Sequence, residues 1–428
     1  MAQKTGKLAI LGYGREGKSV FGFIKKIPQL RRAKIEIRDK KLSKDYLKNL
    51  EQFDVVFRSP GVPYNLPELK MARKSGVKFL SATKLFFDYC PTKNIIGITG
   101  TKGKGTTSTL LYEILKAAGF DVYLAGNIGK SPLEILPKLK PSSWVILELS
   151  SFQLQDLEKS PRIGVVLDVF PDHQDAHLNL KEYYDAKTNV ARHQKKNDVI
   201  FFFAANKLSR WTANKGDGKK NSVSENGFSI FEPADLKIRG HHNFKNAVMA
   251  ATVARKLGIP NKIIAKTARA FRGLPHRLEF IKKIGGVSFY NDSASTNPHT
   301  SATAIRAFPD EQKILIAGGQ DKGLNYKPLA QALKNSNTTL MVLFGENKNK
   351  IAKSLARIKN RELRIKHVGS LKQAIRLSYR FAKNLLHSKF YILNSATIIF
   401  SPGAASFDMF KNYADRGEQF KKIVKALK

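Results

Sequence analysis

With 428 residues, 42% of them hydrophobic, one cysteine (Cys90) and no apolar run approaching the ~20 residues that span a bilayer, the chain reads as a globular cytoplasmic protein of two or three domains. Neither a disulfide framework nor a membrane span is expected, and the early KLAILGYG is too soon broken for a signal peptide. Lys and Arg outnumber Asp and Glu by 75 to 34, yet the surplus is spread, 20 against 8 over residues 1–90, 28 against 16 over 91–272 and 27 against 10 over 273–428, so a lysine-rich solvated surface is expected rather than a nucleic-acid face.

Short β-rich apolar runs alternate with helical patterns, which predicts parallel sheets with crossover helices. The first set, KLAIL, IEIRD and FDVVF, ends near Pro91. The motif GYGREG follows its first strand, and Asp39 ends its second, a spacing that suits a nucleotide pocket with the acid near a ribose or base. Alone, the motif fits close packing of strand on helix equally well.

The second set, NIIGIT, WVILEL, IGVVLD and VIFFF, runs to about Arg272, with RWTANKGDGKKNSVSENG read as an exposed loop or hairpin. NIIGIT leads into GTKGKGTT and then a helical pattern, so Gly100, Thr101, Lys102, Gly103, Lys104 and Gly105 form a loop between strand and helix. Backbone N–H groups and the helix N-terminus there can surround a phosphate, with Lys104 as a point charge. Gly105 stands where a Ser or Thr would hold Mg²⁺, and Thr106 and Thr107 follow as substitutes.

Glu148 ends one strand, and Asp168, Asp172, His173 and Asp175 follow another, at the carboxyl ends where open α/β sheets bind ligands. Glu148 and His173 are read as Mg²⁺ ligands, Asp172 and Asp175 as helix caps. HHNFKNAVMAATVARKLG is an amphipathic helix carrying Asn243 and Asn246. In the third set, GVSFY, KILIA and TLMVLF, the polar groups His276, Arg277 and Asp292 sit at its entry and at a strand end.

Taken in order, GYGREG, SPGVP, GITGTKGKGTT, GNIG, ELSSFQL, PDHQDAH, EYYDAK, HHNFKNA, LPHR, NDSASTN, GGQDKG and SPGAASFDMFKNYADRG resemble the Mur ligases across nearly the whole chain, most closely the branch that adds D-glutamate to UDP-N-acetylmuramoyl-L-alanine. The resemblance implies an α/β enzyme of three domains: a Rossmann-like UDP-substrate domain (1–90), a P-loop ATPase domain (91–272) and a Rossmann-like amino-acid domain (273–428). It further implies ATP, two Mg²⁺ sites, a cytoplasmic monomer, no membrane or nucleic-acid partner, and amide-bond formation through an acyl phosphate.

Position by position, the resemblance implies Lys104 on the β- and γ-phosphates and Thr106, Glu148, His173 and a carbamylated Lys187 on the metal. Thr107, Asn243, Asn246, His276, Arg277 and Asp292 would lie around ATP. Gly14, Arg15, Asp39, Gly61 and Asn127 would face the UDP substrate, and Thr296, Lys322, Ser406 and Tyr413 would face D-glutamate. The chain departs from the family at Lys102 (usually Asn), Gly105 (Ser or Thr), Ala294 (Lys) and Tyr413 (Phe). The glycine at 105 resembles folylpolyglutamate synthases, which keeps that ligase type as an alternative. A nucleic-acid-binding P-loop ATPase is the alternative that the +41 charge suggests.

Overall fold

The computed structural model describes residues 6–30, 33–172, 177–356, 363–387 and 395–428. They form three sheets. The first is parallel, with β1 (Leu8–Leu11), β2 (Ile35–Arg38), β3 (Val55–Arg58) and β4 (Lys78–Leu80) in the order β2-β1-β3-β4.

The second sheet is also wholly parallel. It contains β5 (Ile95–Thr99), β6 (Val122–Gly126), β7 (Trp144–Glu148), β8 (Ile163–Val166), β9 (Val199–Phe203) and β10 (Lys219–Val223), ordered β10-β9-β8-β5-β7-β6. The expected loop or hairpin over 210–227 is corrected here: it supplies the end of the helix Lys207–Ala213 and then β10, a parallel edge strand. An edge strand carries no apolar run, so KKNSV lacks the pattern that reveals buried strands.

The third sheet is mixed: β11 (Glu279–Ile284), β12 (Val287–Asn291), β13 (Lys313–Ala317), β14 (Thr338–Leu343), β15 (Arg364–His367) and β16 (Ala396–Phe400), ordered β11-β12-β16-β13-β14-β15. β11 and β12 are antiparallel, joined by Gly285-Gly286 with φ of 51° and 82°, the two left-handed residues that a tight hairpin needs. This hairpin departs from the all-parallel expectation.

The core follows strand alternation. Leu315, Met341, Leu343 and Ile399 pack on one face of the third sheet, and Ile314, Ile316, Leu340, Val342, Ile398 and Phe400 on the other. β5 is buried along its whole length, as a central parallel strand covered by helices must be.

The chain divides into two compact units, 1–230 with 245–268, and 231–244 with 269–428. The first holds the first two sheets and the second holds the third. The division falls within the helix His241–Lys256, between Phe244 and Lys245.

Candidate active site

In the first unit the glycine loop leaves central strand β5 and enters the helix Lys104–Ala117. Gly100 (φ 154°) and Gly103 (φ 85°) have the left-handed backbone that folds the loop. A Cβ on Gly103 would lie 2.1 Å from Asn246 Oδ1, so glycine is also required for Asn246 to pack there. Thr101 N–H donates to the Asp168 carbonyl (2.9 Å), and its Oγ1 accepts from Phe170 N–H (2.9 Å) and meets the Tyr183 hydroxyl (2.8 Å).

Two lysines converge on one carbonyl. Lys104 Nζ donates to Gly100 O (3.0 Å) and Thr101 O (3.1 Å), and Lys187 Nζ donates to the same Gly100 O (3.0 Å). Lys187 is 2% exposed and stands over the Tyr183 ring at 4.6 Å. Burial, reinforced by the Lys104 charge and opposed by Asp172, holds its ammonium pKa well below the usual lysine value. Burial likewise pushes the Tyr183 hydroxyl up to about 12. Such surroundings favour a neutral amine at 187 and an anion near 104, which fits a phosphate and a carbamate.

Glu148 is buried at the end of β7 and accepts from Asn127 Nδ2 (3.0 Å), so the GNIG turn and the acid lie together. Thr106 is partly exposed on the first turn of the helix, whereas Thr107 is fully buried and donates to Asn246 O (3.5 Å). The available hydroxyl is therefore that of Thr106. Lys102 is exposed at the loop tip, next to the partly exposed Gly103 and Gly105. His173 and Asp175 lie outside the described residues. Among those described, no group of three or more His, Cys, Asp and Glu forms a metal cluster. Asn179 caps the helix Leu180–Thr188, accepting from Glu182 N–H (2.9 Å).

The first glycine motif separates packing from access. A Cβ on Gly17 would strike Gly12 O at 2.1 Å, whereas Cβ atoms on Gly14 or Gly61 would meet nothing within 4 Å. Gly14 and Gly61 are thus the positions that leave room. Asp39 accepts from Tyr13 N–H (2.6 Å) and Lys41 N–H (2.8 Å), which lowers its pKa and ties the acid to the turn. Arg15 spends its guanidinium on the carbonyls of Gly126 (3.0 Å), Asn127 (3.1 Å) and Gly129 (2.9 Å), joining this turn to the GNIG turn.

Asn243, His276, Arg277 and Asp292 belong to the second unit, unlike Asn246. Asn243 Nδ2 donates to Arg239 O (2.8 Å). His276 (φ 63°) is buried against Asn291 Nδ2 (2.9 Å), and burial lowers its pKa, while Arg277 is exposed. Asp292 accepts from Ser295 Oγ (2.5 Å), Ser401 Oγ (2.7 Å) and Leu278 N–H (3.1 Å). Even so, burial outweighs these donors and raises its pKa to about 6.

Thr296, Lys322 and Ser406 lie on the loops that follow β12, β13 and β16, three adjacent strands, with Tyr413 opening the helix Tyr413–Lys425. Lys322 Nζ stands over the exposed Phe407 ring (5.3 Å), Ser406 is buried, Thr296 is partly buried, and half-exposed Tyr413 meets His276 edge-on at 6.3 Å. Sequence reasoning missed Arg416. It is fully buried and donates to Ser293 Oγ (3.0 Å), Ser293 O (2.9 Å), Ala404 O (3.1 Å) and Ala405 O (3.2 Å), binding two of these loops to each other. Burial lowers its pKa to about 10. One arginine in YADRG among many carries no signal that it is buried.

A strand–glycine loop–helix with a paired lysine and an acid at the next strand end defines an ATP-using enzyme of the P-loop kind. Comparison with known proteins agrees. The Mur ligase middle domain matches residues 98–254, and the Mur ligase glutamate ligase domain matches 276–385. A UDP-N-acetylmuramoylalanine–D-glutamate ligase of Acetivibrio thermocellus is 36% identical over 412 residues, covering 90% of this chain and 85% of that protein. One from Clostridium botulinum is 31% identical, covering 99% and 97%. UDP-N-acetylmuramate-alanine ligase MurC from Thermotoga maritima shares the fold with a TM-score of 0.60 at 19% identity, covering 99% of this chain and 100% of that one. MurF ligase from the same organism, in complex with ADP, does so at 0.56 and 16%, covering 98% and 95%.

The chain belongs to the Mur ligase family, the ATP-dependent enzymes of peptidoglycan-precursor synthesis that join an acid to an amino acid through an amide bond. No described helix is long and apolar enough to cross a membrane.

Proposed function

We propose that this ligase adds D-glutamate to UDP-N-acetylmuramoyl-L-alanine, with residues 1–90 holding the UDP substrate, 91–272 ATP and 273–428 the amino acid. Near full-length similarity to ligases of that name supports the substrate pair. The observation that carries the chemistry is the convergence of Lys104 and buried Lys187 on Gly100 O.

In this reading the loop amides and Lys104 bind the ATP phosphates, and Lys104 leaves the two carbonyls it now contacts to do so. The acceptor carboxylate attacks the γ-phosphorus, ADP departs, and the resulting acyl phosphate is attacked by the amine of D-glutamate, which expels phosphate. The protein's task is to align two anions and neutralise the charge on the transferring phosphoryl group. Mg²⁺, held by Thr106, Glu148, His173 and carbamylated Lys187 across two sites, would neutralise part of that phosphate charge.

The neutral amine of Lys187 adds CO₂, forming an N–C bond and releasing one proton, which converts a buried amine into an anionic oxygen donor. Asn246, Asn243, His276, Arg277 and Asp292 are assigned to the nucleotide, and Thr296, Lys322, Ser406 and Tyr413 to D-glutamate. Gly14, Gly61 and Asn127 are assigned to the UDP arm, with Arg15 and Asp39 shaping the turns that receive it.

The test is Lys187→Ala. Turnover should fall at least about a thousandfold and recover in part with added acetate or formate. An unimpaired variant would overturn the carbamate assignment.

A further inference from the structure

Asp168, at the end of IGVVLD, has a place in this fold that the ligase chemistry above does not use. Its carbonyl accepts the Thr101 N–H (2.9 Å), so it fixes the entry to the glycine loop. Its carboxylate Oδ2 lies 2.6 Å from Lys245 Nζ, a short charge-assisted contact between side chains only 23% and 20% exposed. Phe203 lies beneath the same ammonium at 4.6 Å and shields it from water on one side.

Lys245 directly precedes Asn246. The Asn246 side chain sits where a Gly103 Cβ would be, and its carbonyl receives the Thr107 hydroxyl (3.5 Å). One short stretch of helix thus touches the far end of the loop directly and the near end through Asp168. The loop between β5 and the helix Lys104–Ala117 has no regular structure of its own. Its shape depends on such outside contacts, and amides displaced by an ångström bind phosphate poorly.

We propose that Asp168 and Lys245 are positioning residues for the nucleotide: their ion pair sets the distance between the glycine loop and Asn246, and so the geometry of the phosphate cradle. The proposal rests on the reading of that loop as the ATP site. Neither residue touches the nucleotide in this account. They act through Thr101 and Asn246.

The test measures ADP affinity by calorimetry on the full chain, with melting temperature in parallel, for wild type, Asp168→Ala, Lys245→Met, the double variant and Lys245→Arg. Each single loss should raise the ADP Kd roughly three- to tenfold, as expected for a partly buried charged hydrogen bond. The double variant should be no weaker than the worse single, and Lys245→Arg should recover most of the affinity. In turnover, the KM for ATP should rise more than kcat falls. Singles that lower the melting temperature yet leave the ADP Kd within about twofold of wild type would overturn the proposal, as would strictly multiplicative effects in the double variant. Lys104→Ala separates the two levels. If wild type and Lys104→Ala bind ADP equally well, the loop is not the nucleotide site and the underlying reading fails with it.

Discussion

Replacing Gly103 by alanine tests the packing of the phosphate loop through two costs that can be told apart. The first is conformational: at φ 85° an L-residue with a Cβ costs about 1–2 kcal/mol. The second is steric: the new Cβ would lie 2.1 Å from Asn246 Oδ1, so Asn246 must leave its rotamer for about 0.5–1.5 kcal/mol. Together they come to about 2–3 kcal/mol, or a fall in melting temperature of roughly 5–10 °C. Gly119 provides the control. Its φ is 84° but its Cβ would meet nothing within 4 Å, so Gly119→Ala carries only the first cost. Calorimetric melting and ADP titration of both variants check the reasoning. Gly103→Ala should melt lower than Gly119→Ala and bind ADP at least about tenfold more weakly, because Asn246 is displaced. Equal melting temperatures with unchanged ADP affinity would show that Asn246 does not pack on the loop.

Two further outcomes are expected. Thr106→Ala should cut Mg²⁺-dependent kcat/KM for ATP about tenfold or more with little effect on melting, whereas Thr107→Ala should cost about 1 kcal/mol of stability and little activity. Steady-state kinetics beside thermal melts separate them, and a reversed pattern would move the metal oxygen to Thr107. Asp292 titrates near 6 when folded against 3.8 ordinarily, so folding takes up a proton between those values. Its contribution to stability is therefore full below about 3.8 and lost as pH rises through about 6. The loss amounts to about 3 kcal/mol, and Asp292→Asn should remove that slope from melting curves taken across pH 4 to 7.

What the sequence revealed, and what it hid, follows from how each residue is encoded. The glycine loop and Glu148 were legible because strand, turn and helix patterns place them at strand ends, whereas Asn127 was visible only through the GNIG resemblance. Lys187 was visible only through the EYYDAK resemblance, since nothing local distinguishes one helical lysine from another, and its burial at 2% is a tertiary fact. The edge strands Lys78–Leu80, Lys219–Val223 and Arg364–His367 escaped because exposed strands carry no apolar run. The Gly285-Gly286 hairpin left a signal that the alternation of longer runs obscured. Arg416 and the Asp168–Lys245 pair depend on partners 11 to 123 residues away and 77 residues apart, respectively, which no window along the chain can show.

The central claim, a ligase joining D-glutamate to UDP-N-acetylmuramoyl-L-alanine, is tested most directly by ADP release. Each substrate is supplied alone, then both together, with L-glutamate and alternative UDP-muramoyl acceptors as comparisons. ADP and phosphate should appear only with the complete pair, and L-glutamate should give at most a few per cent of the rate. No turnover with that pair in a folded, ATP-binding protein, or a preference for L-glutamate, would contradict the account.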